Sequence, residues 1–210
     1  MEKDQFHPKN YWNQIYQNKT SSQLSWTEEK PDTSLEFFEL LDIPKTARIL
    51  DVGGGESKLP DFLLKSGFNH ISVLDISAEA LKRAQHRLGK DSSKISWIVG
   101  DITKIQLEDS FDVWHDRAAF HFLTKAEHIQ HYLSVVKRVN PEFLIVGCFS
   151  KSGPEKCSGL PVTQYDENDL SSVFDFAYKK VKCVNTTHWT PSGKSQNFIF
   201  CGFKRKVNEV

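Results

Sequence analysis

The run Ile49-Leu50-Asp51-Val52 meets Gly53-Gly54-Gly55 with nothing between them. A mostly apolar run that ends on glycines reads as a buried strand turning sharply into a helix. Glycine has no Cβ, so a strand feeding a Gly-x-Gly turn brings bare backbone against a ligand. A second apolar run, Ile71-Ser72-Val73-Leu74, ends in Asp75. A backbone cradle followed by one carboxylate suits a ligand that carries a ribose.

Strand and helix signals alternate around this feature. Residues 8–41 predict two helical pieces, with Pro31 in the first turn of the second. Residues 47–52 predict a strand, 57–66 a helix opened by Ser57 and closed at Gly67, and 71–75 a strand. Residues 78–89 predict a helix capped by Ser77, with Ala80, Leu81, Ala84 and Leu88 on one face. Strands are predicted at 95–99 and 111–115, the latter ending at His115-Asp116. A helix follows over 125–138, where Thr124 and Glu127 have capping-box spacing, then a buried strand at 143–149. A polar loop covers 150–163, and a short helix begins after Asp166. Two extended runs, 179–188 and 196–204, flank the turn Thr190-Pro191-Ser192-Gly193. This order predicts an α/β fold in one domain, 1–210, with helices on both faces of a mostly parallel sheet and an antiparallel strand at its C-terminal end.

Bulk properties narrow the function. Lys plus Arg and Asp plus Glu number 27 each, so no net charge draws the chain to nucleic acid or a membrane surface. No apolar run nears the roughly 20 residues that span a bilayer, and Met1 to Gln5 is too polar for a signal peptide. Cys148, Cys157, Cys183 and Cys201 show no C-x-x-C spacing, which points to reduced, structural thiols and a cytoplasmic protein. The eight histidines show no metal-ligand spacing, so no metal is expected.

In a doubly wound sheet, ligands bind at the carboxyl ends of the strands. Those ends here carry Gly53 and Gly55, then Asp75, then Gly100-Asp101-Ile102, then His115-Asp116. In this order the chain resembles the class I S-adenosylmethionine-dependent methyltransferases, through Asp51-Val52-Gly53-Gly54-Gly55, Leu74-Asp75-Ile76 and Gly100-Asp101-Ile102. Within them it resembles the subgroup of elongation factor 1A and citrate synthase lysine methyltransferases and their bacterial relatives, through Tyr11-Trp12, Tyr16 and Ser25-Trp26. The lysine-modifying members carry Asp-Lys-Gly-Thr, an apolar residue and Asp where this chain has Asp116-Arg117-Ala118-Ala119-Phe120-His121.

The resemblance implies a Rossmann-like methyltransferase fold of seven strands, with residues 1–45 as a helical cap over the site. It implies S-adenosylmethionine as cofactor. Gly53 and Gly55 would approach it by backbone, and Asp51 would lie near its ammonium group. Asp75 would accept both ribose hydroxyls, and Asp101 the adenine amino group. Ile76 and Ile102 would sandwich the adenine. Asp116, His121 and His115 stand nearest the reacting methyl group as candidate catalytic residues, a histidine being a suitable base near neutral pH. Trp12 and Trp26 would exclude water and face the sulfonium.

A small-molecule acceptor is favoured because the lysine-type segment is altered at Ala118 and His121; a protein lysine is the alternative. A nicotinamide-dependent oxidoreductase is disfavoured, since its third glycine is Lys58 here. A fold that binds cofactor without catalysis is the remaining alternative. The expected state is a monomer or weak homodimer.

Overall fold

The computed structural model describes residues 6–207; the polar Met1–Gln5 lies outside the described residues. Helix α1 (Pro8–Asn18) is followed by a strap over residues 19–30 and by α2 (Asp32–Leu40). Pro31 is the residue just before α2 and not part of its first turn. Then come β1 (Arg48–Val52), α3 (Leu59–Lys65), β2 (His70–Asp75), α4 (Ala78–Leu88), β3 (Ile95–Val99) and β4 (Val113–Arg117). After α5 (Ala126–Val139) and β5 (Phe143–Phe149), the polar loop folds a small hairpin, β6 (Lys156–Cys157) with β7 (Leu160–Pro161). Helix α6 (Glu167–Phe174) leads to β8 (Tyr178–Trp189) and β9 (Ser195–Arg205).

The seven long strands form one sheet in the order β3-β2-β1-β4-β5-β9-β8. Strands β1 to β5 pair in parallel, and β9 runs antiparallel between β5 and β8. The last strand of the chain is therefore interior, and β8 is the edge. A dinucleotide-binding sheet has no such inserted antiparallel strand.

Alternation along the strands divides the core in two. Ile49, Val113 and Ile145 point to α2, α3 and α4, where Phe37, Phe38 and Leu63 pack. Leu50, Trp114, Leu144 and Val146 point to α5 and α6, where Tyr132, Val136 and Leu170 pack. All seven residues of β5 are buried, as expected for a central strand covered on both faces. Ser77 caps α4 by accepting from the Ala80 amide at 3.2 Å, and Asp166 and Asp169 cap α6 reciprocally. The expected Thr124–Glu127 box is not formed. Helix α5 starts one residue later, so the capping position falls on Lys125, which makes no side-chain cap.

Cys183 and Cys201 face each other across β8 and β9 and are joined by a disulfide. This corrects the expectation of free structural thiols, because antiparallel register brings together two residues that sequence spacing leaves apart. Cys148 and Cys157 are free and buried.

Candidate active site

The glycine turn is required by backbone geometry at two of its three positions. Gly53 (φ 66°) and Gly55 (φ 53°) occupy the left-handed region, where L side chains are strained. A Cβ on Gly53 would stand 2.5 Å from the Ala119 Cβ, and one on Gly54 2.5 Å from Asp51 Oδ2. The amides of Gly53 and Gly54 donate to the Leu74 carbonyl at 2.7 and 3.2 Å, folding the turn against the end of β2.

Acids gather around this cradle. Asp51 Oδ1 accepts from His115 Nδ1 at 2.7 Å, while Oδ2 is buried beneath Gly54 without a partner. Asp75 is buried and accepts from the Ser77 amide at 2.7 Å, and the Gly55 amide also bonds to it. Burial outweighs these bonds and pushes its carboxyl up to about 7. Tyr16, on α1, places its hydroxyl 2.6 Å from where a Gly55 Cβ would lie. Burial, then the Asp75 charge, suppress the acidity of that phenol. Glu56 pairs with Arg83 at 2.7 Å through one oxygen and leaves Oε1 buried and unpartnered. At the end of β3, Asp101 Oδ1 accepts from the Thr103 amide at 2.9 Å and its hydroxyl at 2.7 Å. Ile76 and Ile102 are half-buried beside these acids.

The expected catalytic trio does not converge. Strand β4 runs two residues past the expected end, so His115 and Asp116 are interior and point to opposite faces. His115 donates to Asp51, and its Nε2 meets the Ser34 hydroxyl of α2 at 2.9 Å. Asp116 is fully buried toward α5, where it accepts from the amides of Ala119 and Phe120 at 2.9 and 3.0 Å and from the Tyr132 hydroxyl at 2.8 Å. Burial raises its carboxyl to about 6. Its bonds close the turn after β4 and hold α5.

His121 sits on the short turn after β4, and its ring is wedged against Phe122 and Phe149 at centroid distances of 4.7 and 4.5 Å. The Phe149 amide donates to its Nδ1 at 3.3 Å, which puts the proton of the neutral ring on Nε2. Burial, then the nearby Arg117 charge, lower its proton affinity to a pKa of about 3.

The strand end itself belongs to Arg117, which sequence reading passed over. Its Nη1 donates to the Trp26 carbonyl at 3.1 Å, and Nη2 lies 2.7 Å from Glu28, close but not aligned for a hydrogen bond. His188 of β8 bonds the Ser25 carbonyl through Nε2 at 2.7 Å. These contacts hold the strap over the ends of β4, β8 and β9. Ala118 follows Arg117 at φ 70°, where the lysine-modifying proteins carry glycine. Alanine carries left-handed strain in this conformation.

Helix α1 roofs the site. Asn13 accepts from the Ser77 hydroxyl at 2.8 Å, and Arg83 of α4 donates to the Tyr16 and Lys19 carbonyls at 2.9 and 2.8 Å. Trp12 meets Trp26 edge-on at 5.8 Å and Phe122 at 5.1 Å. Tyr11 donates its hydroxyl to the Ser158 carbonyl of the β6–β7 hairpin, latching α1 to that hairpin. Helix α2, by contrast, is an ordinary covering helix whose Phe37 stacks on Phe200 of β9.

Among the described residues, no three His, Cys, Asp or Glu side chains are grouped to hold a metal, and no helix is long and apolar enough to cross a membrane. The residue types present suit an S-adenosylmethionine: glycines packed so closely that no Cβ fits, an Asp51 oxygen buried without a partner, and a carboxylate, Asp75, ending β2.

Residues 49–141 match the family described as Methyltransferase domain. The chain is 27% identical over 158 residues to EEF1A lysine methyltransferase 2 of Danio rerio, covering 67% of this chain and 68% of that protein. It is 27% identical over 108 residues to the eEF1A lysine and N-terminal methyltransferase of Mus musculus, spanning 50% of this chain but only 15% of that relative's length. Among solved structures, the Burkholderia thailandensis 1,6-didemethyltoxoflavin-N1-methyltransferase, with bound 1,6-didemethyltoxoflavin and S-adenosylhomocysteine, superposes with a TM-score of 0.69 at 12% identity, covering 99% of this chain and 94% of that one.

Proposed function

We propose, since this chain belongs to the class I S-adenosylmethionine-dependent methyltransferases, that it passes the methyl group to a small molecule. The cofactor supplies an electrophilic methyl group on a sulfonium, so the protein's work is binding, alignment and exclusion of water.

Gly53 and Gly55 would present backbone to the cofactor, with Asp51 Oδ2 facing its ammonium group. Asp75 would hold the two ribose hydroxyls and Asp101 Oδ2 the adenine amino group, between Ile76 and Ile102. Trp12, Tyr16 and Trp26 would close over the sulfonium and keep water out. In this reading residues 8–30 form the working cap, and α2 is structural. His115, Asp116 and His121 would position rather than remove protons, because each is already engaged. The acceptor would then need no strong base from the protein.

The closed aromatic roof carries the choice of a small acceptor. Trp12 packs edge-on against Trp26 and Phe122, and the Tyr11 hydroxyl ties α1 to the β6–β7 hairpin through the Ser158 carbonyl. A lysine side chain on a folded protein needs an open approach, favoured by carboxylates. Support for the lysine reading is the Danio rerio relative, matched over two thirds of both chains. A cytoplasmic location stays an expectation, and the Cys183–Cys201 bond bears on it, since lasting disulfides belong to oxidising compartments.

The test is methyl transfer from radiolabelled cofactor into a lysate separated by size. Label in a small molecule that separates chromatographically from the unreacted cofactor, and that needs the protein to form, supports the reading. Label confined to protein overturns it in favour of lysine, and no label in either fraction argues against catalysis.

A further inference from the structure

Two polar groups beside the roof remain without partners, although both are buried. Arg117 engages Trp26 and Glu28 through its Nη atoms, but its Nε–H meets nothing. His121 accepts at Nδ1 from Phe149, and its Nε2–H likewise meets nothing. Leaving a buried donor unmade is costly, and a bound ligand group is one way such a donor is satisfied.

The two donors belong to one locality. The Arg117 guanidinium lies over the Phe198 ring at 5.3 Å, Phe198 meets Phe149 at 4.8 Å, and Phe149 meets His121 at 4.5 Å. Arg117 is also the second cause of the lowered proton affinity of His121, which requires the two to be near. Arg117 ends β4 and His121 lies on the short turn after it, beside Ala119, which packs on Gly53. Glu28 balances the Arg117 charge, so recognition there depends on hydrogen-bond donors rather than net charge.

We propose that Arg117 and His121 select the methyl acceptor, donating from Nε–H and Nε2–H to a carboxylate that the acceptor bears near its methyl-accepting atom. This rests on the methyltransferase reading and names its substrate class. A lysine ammonium, which only donates hydrogen bonds, would leave both groups unsatisfied and be rejected.

The experiment is calorimetric titration of the protein saturated with S-adenosylhomocysteine. The probes are acetate, benzoate and salicylate, each matched by an amine, ethylamine or benzylamine. Arg117→Lys keeps the charge toward Glu28 and removes the Nε–H. His121→Asn keeps an acceptor for the Phe149 amide and removes the Nε2–H. At least one carboxylate should bind, the amines should not, and each variant should weaken carboxylate binding by about tenfold or more. Affinity for S-adenosylhomocysteine should be unchanged in His121→Asn; Arg117→Lys also loses the Nη1 bond to the Trp26 carbonyl, so its loss of carboxylate binding must exceed any loss of cofactor binding. Carboxylate binding equal in wild type and variants overturns the assignment, as does binding of amines alone or of no probe. Failure of S-adenosylhomocysteine itself to bind overturns the methyltransferase reading and this assignment with it.

Discussion

Cofactor affinity should depend on pH through Asp75. Its carboxyl is buried at the end of β2 and titrates at about 7 without ligand, chiefly because burial disfavours the charged form. In the proposed site, two ribose hydroxyls can both donate to the ionised carboxylate, in charge-assisted bonds; the protonated acid keeps fewer and weaker acceptors, so it binds less tightly. With a pKa near 7, about one Asp75 in ten is ionised at pH 6 and about nine in ten at pH 8. Affinity for S-adenosylhomocysteine should therefore rise about tenfold from pH 6 to pH 8, roughly 1.4 kcal/mol. Stability of the free protein should move the other way. The folded pKa lies above the ordinary 3.8, so this contribution is full below pH 4 and is lost as pH rises through about 7. Calorimetric titration across pH 6–8 measures the first effect and thermal unfolding the second. Asp75→Asn should weaken binding and flatten the slope. A pH-independent affinity in wild type, or a slope that survives in Asp75→Asn, would refute the reasoning.

Three further outcomes are expected. Tyr132→Phe removes the hydroxyl given to Asp116 and strands the Trp114 indole N–H, 2.7 Å from that oxygen, so chemical denaturation should show a loss of about 2–4 kcal/mol with cofactor affinity unchanged. Ala118→Gly relieves about 1–2 kcal/mol of left-handed strain against about 0.4–1 kcal/mol of added unfolded-state entropy, so a net gain of up to about 1.6 kcal/mol is expected in the same assay. Reducing Cys183–Cys201, which are 18 residues apart, should lower stability by about 3 kcal/mol in the loop-entropy model; thiol titration that finds all four cysteines free in the native protein would remove the basis for this.

What the chain determines by itself is local. Strand-then-glycine at 49–55, Asp75 ending its strand and Ser77 capping α4 all depend on residues adjacent in sequence, and each was legible there, whereas the left-handed backbone at Gly53 and Gly55 is seen only in the structure. The alternation of strand and helix likewise set the parallel sheet. The structure alone decided where β4 ends. That boundary is set by pairing with β1 and β5, which carries the ladder to Arg117 opposite Gly147. Once the strand continues, pleat geometry sends His115 to α2 and Asp116 to α5, so two of the candidate catalytic residues are buried on opposite faces of the sheet. The same holds for β9 lying inside the sheet, for the cysteines meeting across it, and for Arg117 gripping a strap that is distant in sequence. Each depends on register and on long-range convergence of side chains, which exist only after distant segments have packed.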